Sequence, residues 1–472
     1  MLALSMISIG IPTTVSKIVA KKISIGDNKG AYCTFKISLM LFSVISISAS
    51  ILLIINAKFI AVCILKMKEC TLSFIMLAPS IFLVSVISVF KGYFAGRQNM
   101  KATATAQSID QLVKTIGVVA LIELSIMIIG NTNTEIFAAC ASFTTTLANI
   151  AELIYMYTFY IKNKPVIEEE LKETVNHKNI RKTELIKEII LTTIPIQLTG
   201  LISSIGKNID STSIVGGLQS KIGYEEAKKQ YGILSGKVDA LINLPLSFNM
   251  AIATALLPRI AACNNDRIEC EKKINQSLLC TNLIALPTLV CFIMFAKEIL
   301  LLLFPNAPDG ANILIASSIS IIFITIEQIT GQVLQGIGKT KISIIALLIG
   351  VGTKAIINRI LVPKTEWIIG GTIGATIATL ICHIIVCIIE LSAVLKITKI
   401  KIEKKTIVKP IMITIIFIII SKIMYESMKN FLKFKTNLII SIGIAVIFYI
   451  FYLYKIKIIK IQKASKIKGY RR

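Results

Sequence analysis

Residues 36–57 read K-I-S-L-M-L-F-S-V-I-S-I-S-A-S-I-L-L-I-I-N-A, and the next residue is Lys58. Between Lys36 and Lys58 no side chain is charged. The apolar residues fall on both odd and even positions, unlike the alternation of a barrel strand. A helix needs about 20 such residues, at 1.5 Å each, to cross the hydrocarbon core of a bilayer. The helix is also the only open-chain structure that satisfies its own backbone hydrogen bonds there. This stretch therefore predicts a transmembrane helix.

The pattern recurs along the chain. Spans are predicted at 1–20, 36–57, 71–90, 103–129, 134–161, 185–206, 232–257, 276–304, 309–332, 341–362, 367–395, 407–427 and 436–454, thirteen in all. The 472 residues are 54% hydrophobic with a mean hydropathy of +0.77, more apolar material than a soluble fold of this length can hide. Residue 1 already lies inside an apolar run with no basic segment ahead of it, so the start does not read as a cleavable signal peptide.

The charge is strongly one-sided: 52 Lys and Arg against 26 Asp and Glu give +26. The basic residues lie between apolar runs and form no aromatic-interleaved face, so nucleic acid is excluded as a partner. They orient the chain instead. Alternate loops that include 17–36, 91–101, 162–187, 259–273 and 396–409, together with the tail, hold 35 of the 52, against 14 on the opposite side. That bias predicts an external N-terminus, a cytoplasmic C-terminus and a basic tail over 455–472 that can touch anionic lipid.

The ten cysteines contain no C-x-x-C pair and sit mostly in apolar runs, as small hydrophobes. With His177 and His383 the only histidines, neither a metal site, a cofactor nor a Ser/His/Asp constellation is expected. Gly331 to Thr340 reads G-Q-V-L-Q-G-I-G-K-T, but Val333 stands where a phosphate-binding loop needs glycine. The chain is predicted not to be an enzyme.

Two halves echo one another. G-I-P-T-T-V-S-K-I-V-A at 10–20 is followed 242 residues later by A-L-L-P-R-I-A-A at 255–262, which pairs Lys17 with Arg259. Gly96 and Gly336 differ by 240, as do Lys114 and Lys354. An even number of spans per repeat gives two lobes of the same orientation about an axis along the membrane normal. The predicted organisation is an N-terminal lobe over 1–161, a cytoplasmic linker over 162–184, a C-terminal lobe over 185–396, two extra helices over 397–454 and the tail.

A charge at membrane depth costs at least about 2.5–3.5 kcal/mol, so it needs a partner or a watery cavity. Thr103, Gln107, Asp110, Gln111 and Lys114 share one helix face, and Asp110 can pair with Lys114 at i, i+4. That pair reads equally as a structural bridge or as a cavity site. Ser235, Asp239, Asn243 and Ser247 form a second stripe, on a span expected to break at Pro245, and Lys207 with Asp210 is expected to end the span before it. Glu327, Gln328, Gly331 and Gln335 read as helix packing, while Glu123, Glu152, Glu390 and His383 read as interfacial or structurally paired.

The stretches at 10–20, 91–107 (K-G-Y-F-A-G-R-Q-N-M-K-A-T-A-T-A-Q), 231–261 and 334–339 (L-Q-G-I-G-K) resemble the stage V sporulation protein B-like branch of the multidrug/oligosaccharidyl-lipid/polysaccharide (MOP) exporter superfamily. The resemblance spans essentially the whole chain. It implies an all-α, MATE-like fold of two six-helix lobes around a central cavity plus two C-terminal helices. The family carries one more span ahead of the G-I-P segment, so about thirteen are expected here.

The resemblance further implies a flippase of the bacterial cytoplasmic membrane. Such a protein carries a lipid-linked saccharide, such as the undecaprenyl-pyrophosphate peptidoglycan precursor, to the outer leaflet by alternating access, for cell-wall or spore-cortex synthesis. Basic cavity residues would hold the head group. Lys17, Arg259, Lys114 and Lys354 stand at those positions, with Asp110, Asp239 and Asn243 beside them. Membrane lipids and a coupling cation are the other expected partners. A cation-coupled multidrug antiporter, which would favour carboxylates, and a non-transporting scaffold for wall synthesis are the rival readings.

Overall fold

The computed structural model describes residues 2–61, 70–129, 134–172, 182–261, 267–429 and 434–455. Among them every regular element is helical. The first five helices are α1 (Leu2–Ser24), α2 (Asn28–Phe59), α3 (Cys70–Gly96), α4 (Met100–Ile129) and α5 (Thr134–Lys172). They are followed by α6 (Lys182–Ile222), α7 (Tyr224–Gly232), a π-helical turn (Ile233–Val238), α8 (Asp239–Ala261), α9 (Arg267–Met294) and α10 (Ala296–Leu303). The last six are α11 (Ala311–Ser318), α12 (Ser320–Gly336), α13 (Thr340–Leu361), α14 (Gly371–Thr398), α15 (Lys404–Met428) and α16 (Phe434–Lys455). Twelve helical stretches among the described residues are long and apolar enough to cross a membrane, and α1 takes the place of the remaining predicted span.

Several predicted edges move for local reasons. The expected linker at 162 begins instead as helix, because α5 runs on to Lys172 and Glu170 is held there by Arg97 through two bonds of 2.9 and 2.7 Å. Residues 173–181, with His177, and the tail beyond Lys455 lie outside the described residues. The 207–229 segment, expected as a loop, is helical but for the turn at Gly223, so Asp210 lies within α6 and does not end it. The break expected at Pro245 occurs earlier, in the π-helical turn, and Pro245 itself sits within α8. A π turn shifts hydrogen bonding by one residue, the sort of local adjustment that satisfies backbone groups near a proline.

By internal packing the chain divides into one compact unit of residues 1–208, 253–273 and 330–351, and a second of 209–252, 274–329 and 352–472. These divisions fall inside helices α6, α8, α9, α12 and α13 and do not coincide with the boundaries predicted at 161, 185 and 396.

In the first unit an aromatic cluster joins three helices. Phe35 of α2 lies 4.6 Å from Tyr93 of α3 and 5.5 Å from Tyr160 of α5, centroid to centroid, and the Tyr32 and Tyr160 hydroxyls meet at 3.0 Å. Offset and edge-on rings of this kind add specific geometry to apolar burial. In the second unit Leu218, Val238, Leu241, Leu300, Leu314 and Ala375 belong to one apolar core. The two last helices pack on α9: Tyr449 donates to the Leu283 carbonyl at 2.7 Å, and Asn282 donates to the Thr406 carbonyl at 3.0 Å.

The repeat is written into the backbone. After α3, Gln98 N–H bonds to the Ala95 carbonyl and Asn99 N–H to that of Phe94. After α12, 240 residues on, Gly338 N–H bonds to Gln335 and Lys339 N–H to Leu334. Both are Schellman closures with the left-handed residue at the same place, Gln98 at φ 58° and Gly338 at φ 81°. The echoed glycines serve one purpose. A Cβ on Gly96 would lie 2.8 Å from the Ser16 carbonyl of α1, and one on Gly336 would lie 2.9 Å from Ile260 Cγ2 of α8. Each lets two helices approach to near backbone contact.

Candidate functional site

The first unit gathers four charged side chains from three helices. Lys91 of α3 places its ammonium 2.6 Å from Glu152 Oε1 of α5, and Lys114 of α4 places its own 2.9 Å from Asp110 Oδ2. Asp110 and Lys114 are close enough to Glu152 for their charges to act on it. Asp110 is buried, and its Oδ1 has no hydrogen-bond partner. Lys114 keeps 32% of its side chain exposed, on a face of α4 it shares with exposed Gln107 and Gln111. The i, i+4, i+7 spacing puts these three in one line. Polar and charged groups on a spanning helix need a partner or water at that depth.

The second unit handles its charges differently. Lys354 of α13 bonds to Asp210 Oδ2 of α6 at 2.5 Å, and Asn358, one turn on, donates to Asp210 Oδ1 at 3.1 Å. The predicted packing strip on α12 is a polar network as well as a contact surface. Glu327 Oε2 lies 2.7 Å from His383 Nδ1 of α14, and Gln328 Oε1 accepts from Asn249 Nδ2 of α8 at 2.8 Å. Asn249 is fully buried, and its Oδ1 accepts from the Thr281 hydroxyl of α9 at 2.6 Å.

The remaining predicted site residues are dispersed. Lys17 donates at 2.5 Å to the carbonyl of Gln335, one of the last carbonyls of α12, where a cation also complements the helix dipole. Arg259 is exposed at the end of α8, and its carbonyl lies 3.5 Å from the Lys273 ammonium. Asp239 and Asn243 share an exposed stripe of α8 with Ser247, whose hydroxyl returns to the Asn243 carbonyl at 2.7 Å. Lys114 and Lys354 belong to different units.

Three participants escaped the sequence analysis: Lys91 as the partner of Glu152, Asp210 as the partner of Lys354, and Asn249 as a hub between α8, α9 and α12. The need of Lys354 for a counter-ion at membrane depth was a usable signal. What it lacked was an address, because Asp210 is 144 residues away.

The polysaccharide biosynthesis protein family matches residues 1–264, and the MatE family matches residues 238–360. Stage V sporulation protein B of Bacillus subtilis (strain 168) is 22% identical over 442 residues, which are 92% of this chain and 82% of that protein. Lipid II flippase MurJ of the same organism is 24% identical over 399 residues, 81% of this chain and 72% of its own. Among solved structures, an outward-facing multidrug resistance MATE family transporter of the MOP superfamily aligns with a TM-score of 0.67 at 16% identity, covering 84% of this chain and 85% of that one. A MOP superfamily transporter from Pyrococcus furiosus gives 0.68 at 15% over the same shares. These structural likenesses give the chain a MATE-like, two-lobe fold.

Proposed function

We propose a function from one premise: the chain belongs to the polysaccharide biosynthesis protein family, within the flippase branch of the MOP superfamily. It is a multi-pass membrane transporter, and the finer reading is a flippase for a lipid-linked oligosaccharide. The observation that carries this reading is the polar line on α4 that runs from exposed Gln107 and Gln111 to a partly exposed Lys114 halfway along a spanning helix. An aqueous cavity is what tolerates such a face. Amides and a lysine suit a sugar diphosphate, because a compact ammonium can hold an anion and release it. The polyprenyl tail would stay in lipid while the head group passes, with the C-terminus on the cytoplasmic side as the basic loops require. The likeness to a lipid II flippase supports the peptidoglycan precursor as the saccharide.

The test is leaflet accessibility of the lipid-linked precursor in cells depleted of other flippases, with and without this chain. Precursor should reach the outer leaflet only when the chain is present, and Lys114→Gln at equal expression should abolish it. Unchanged translocation in the variant would remove Lys114 from the site. A cation-coupled multidrug antiporter is favoured by one observation, the buried and unpartnered Oδ1 of Asp110. It predicts efflux of a cationic dye that Asp110→Asn removes.

A further inference from the structure

The chain has one tryptophan, Trp367, and it stands half exposed in the turn between α13 and α14. Backbone bonds fix that turn: Lys364 N–H to the Leu361 carbonyl at 3.1 Å, Trp367 N–H to Lys364 at 3.2 Å and Gly370 N–H to Trp367 at 2.9 Å. A Cβ at Gly370 would fall 1.7 Å from the Lys364 carbonyl oxygen, so the turn closes on itself with no space for a side chain. Opposite, Gly310 takes φ +110° where a Cβ would strike Ile233 Cγ2 at 2.6 Å, and it starts α11 close by. Two backbones are thus locked around a common space.

That space is a cavity of about 390 Å³ lined by Gln230, Asn312, Thr365, Trp367, Ile368 and Thr372, among others. It sits in the lower part of the range of about 300–1,000 Å³ typical of small-ligand pockets. No charged residue lines it. Gln230 is already oriented, its Nε2 donating to Glu226 at 3.2 Å and its Oε1 accepting from Thr372 at 3.4 Å. Lys364 holds its ammonium 3.8 Å from the centroid of the Trp367 ring, which further fixes the indole.

A wide aromatic surface beside amides and hydroxyls, with no charged residue in its lining and the one adjacent ammonium, that of Lys364, already engaged on the indole ring, is a poor match for a diphosphate, a cationic drug or a lipid tail. It matches a neutral pyranose, which has apolar C–H faces and a rim of hydroxyls that both donate and accept. We propose that this pocket is a saccharide site, in which Trp367 stacks on a sugar ring and Gln230, Asn312 and Thr365 bond to its hydroxyls. The proposal rests on the flippase reading and on the charge bias that puts the 304–310 and 362–370 turns outside. There the pocket would receive the sugar end of the head group as it leaves.

Trp367 is its own reporter, being the only tryptophan. The full chain in nanodiscs is titrated with N,N′-diacetylchitobiose, and with inorganic diphosphate as control, while the indole emission is followed. A saturable change with the disaccharide and none with diphosphate is expected, weakened about tenfold by Asn312→Ala together with Gln230→Ala. Saturation-transfer NMR on Trp367→Phe and Trp367→Ala should show contact kept in the first and lost in the second. No response to the disaccharide, with emission quenched by brominated lipid, would overturn the proposal and make Trp367 an interfacial anchor beside exposed Ile368. If the intact chain flips precursor but binds no disaccharide, the pocket proposal alone fails; if it binds disaccharide but flips nothing, the flippase reading fails and the sugar site stands.

Discussion

Lys114 and Lys354 stand 240 residues apart at matching places in the two repeats, yet they are wired in opposite ways. Lys114 pairs with Asp110 on its own helix and remains about one-third exposed. Lys354 is 6% exposed by side chain and pairs with Asp210 across two helices, with Asn358 completing the carboxylate. One repeat therefore keeps its ammonium on its own helix and partly exposed, while the other has locked its counterpart into packing. Equivalent positions in a duplicated fold carry equal chemistry only where their surroundings are also duplicated.

The comparison is broken most forcefully at the buried pair. Lys354→Ala strands the Asp210 carboxylate and should cost about 3–5 kcal/mol of stability, read as a fall in the thermal unfolding midpoint of the purified protein. Lys354→Met combined with Asp210→Asn should recover most of it; a mild single-variant effect would show that the pair is not buried in the working protein. The echoed glycines come next. Gly96→Ala should cost about 1–3 kcal/mol, since its Cβ would meet the Ser16 carbonyl of α1 at 2.8 Å, and Gly336→Ala somewhat less, since it would meet the Ile260 side chain at 2.9 Å and backbone only at 3.4 Å.

The paired closing turns make a finer test. Gly338→Ala should lose about 1 kcal/mol, and Gln98→Gly should be neutral or stabilising by a few tenths, because both positions are left-handed and only one already has glycine. Equal losses at both would contradict the common turn geometry. Lys114→Gln should cost about 1 kcal/mol, since it removes the counter-ion of the buried Asp110 but keeps an amide donor on the same helix face. Translocation should nevertheless vanish in it, whereas a scaffold would tolerate the change.

The helices were legible because their evidence is local. A run such as 36–57 contains its own length, its own hydropathy and its own flanking lysines. The repeat was legible for a related reason: glycines at 96 and 336 mark places where a side chain has no room, and that constraint acts on residue identity directly. The pair Asp110–Lys114 was also readable, since both ends lie on one helix turn. The early break in the Pro245 span was less so, because a proline specifies that hydrogen bonds must be rearranged nearby without specifying which turn absorbs the change.

The sequence by itself determined that this is a membrane-spanning helical chain and, among the described residues, where twelve of its apolar helices lie. Hydrophobic length and missing side chains act at single positions, and no distant contact is needed to read them. Only the tertiary structure decided which charges are held across helices: Lys17 on the end of α12, Lys354 on Asp210 and Lys91 on Glu152, while Lys114 stays on its own helix with Asp110 and about one-third exposed. Each of the first three partners is supplied by another helix, often more than a hundred residues away. The cost of an unpaired charge in lipid says that a partner must exist, and packing alone says which one it is.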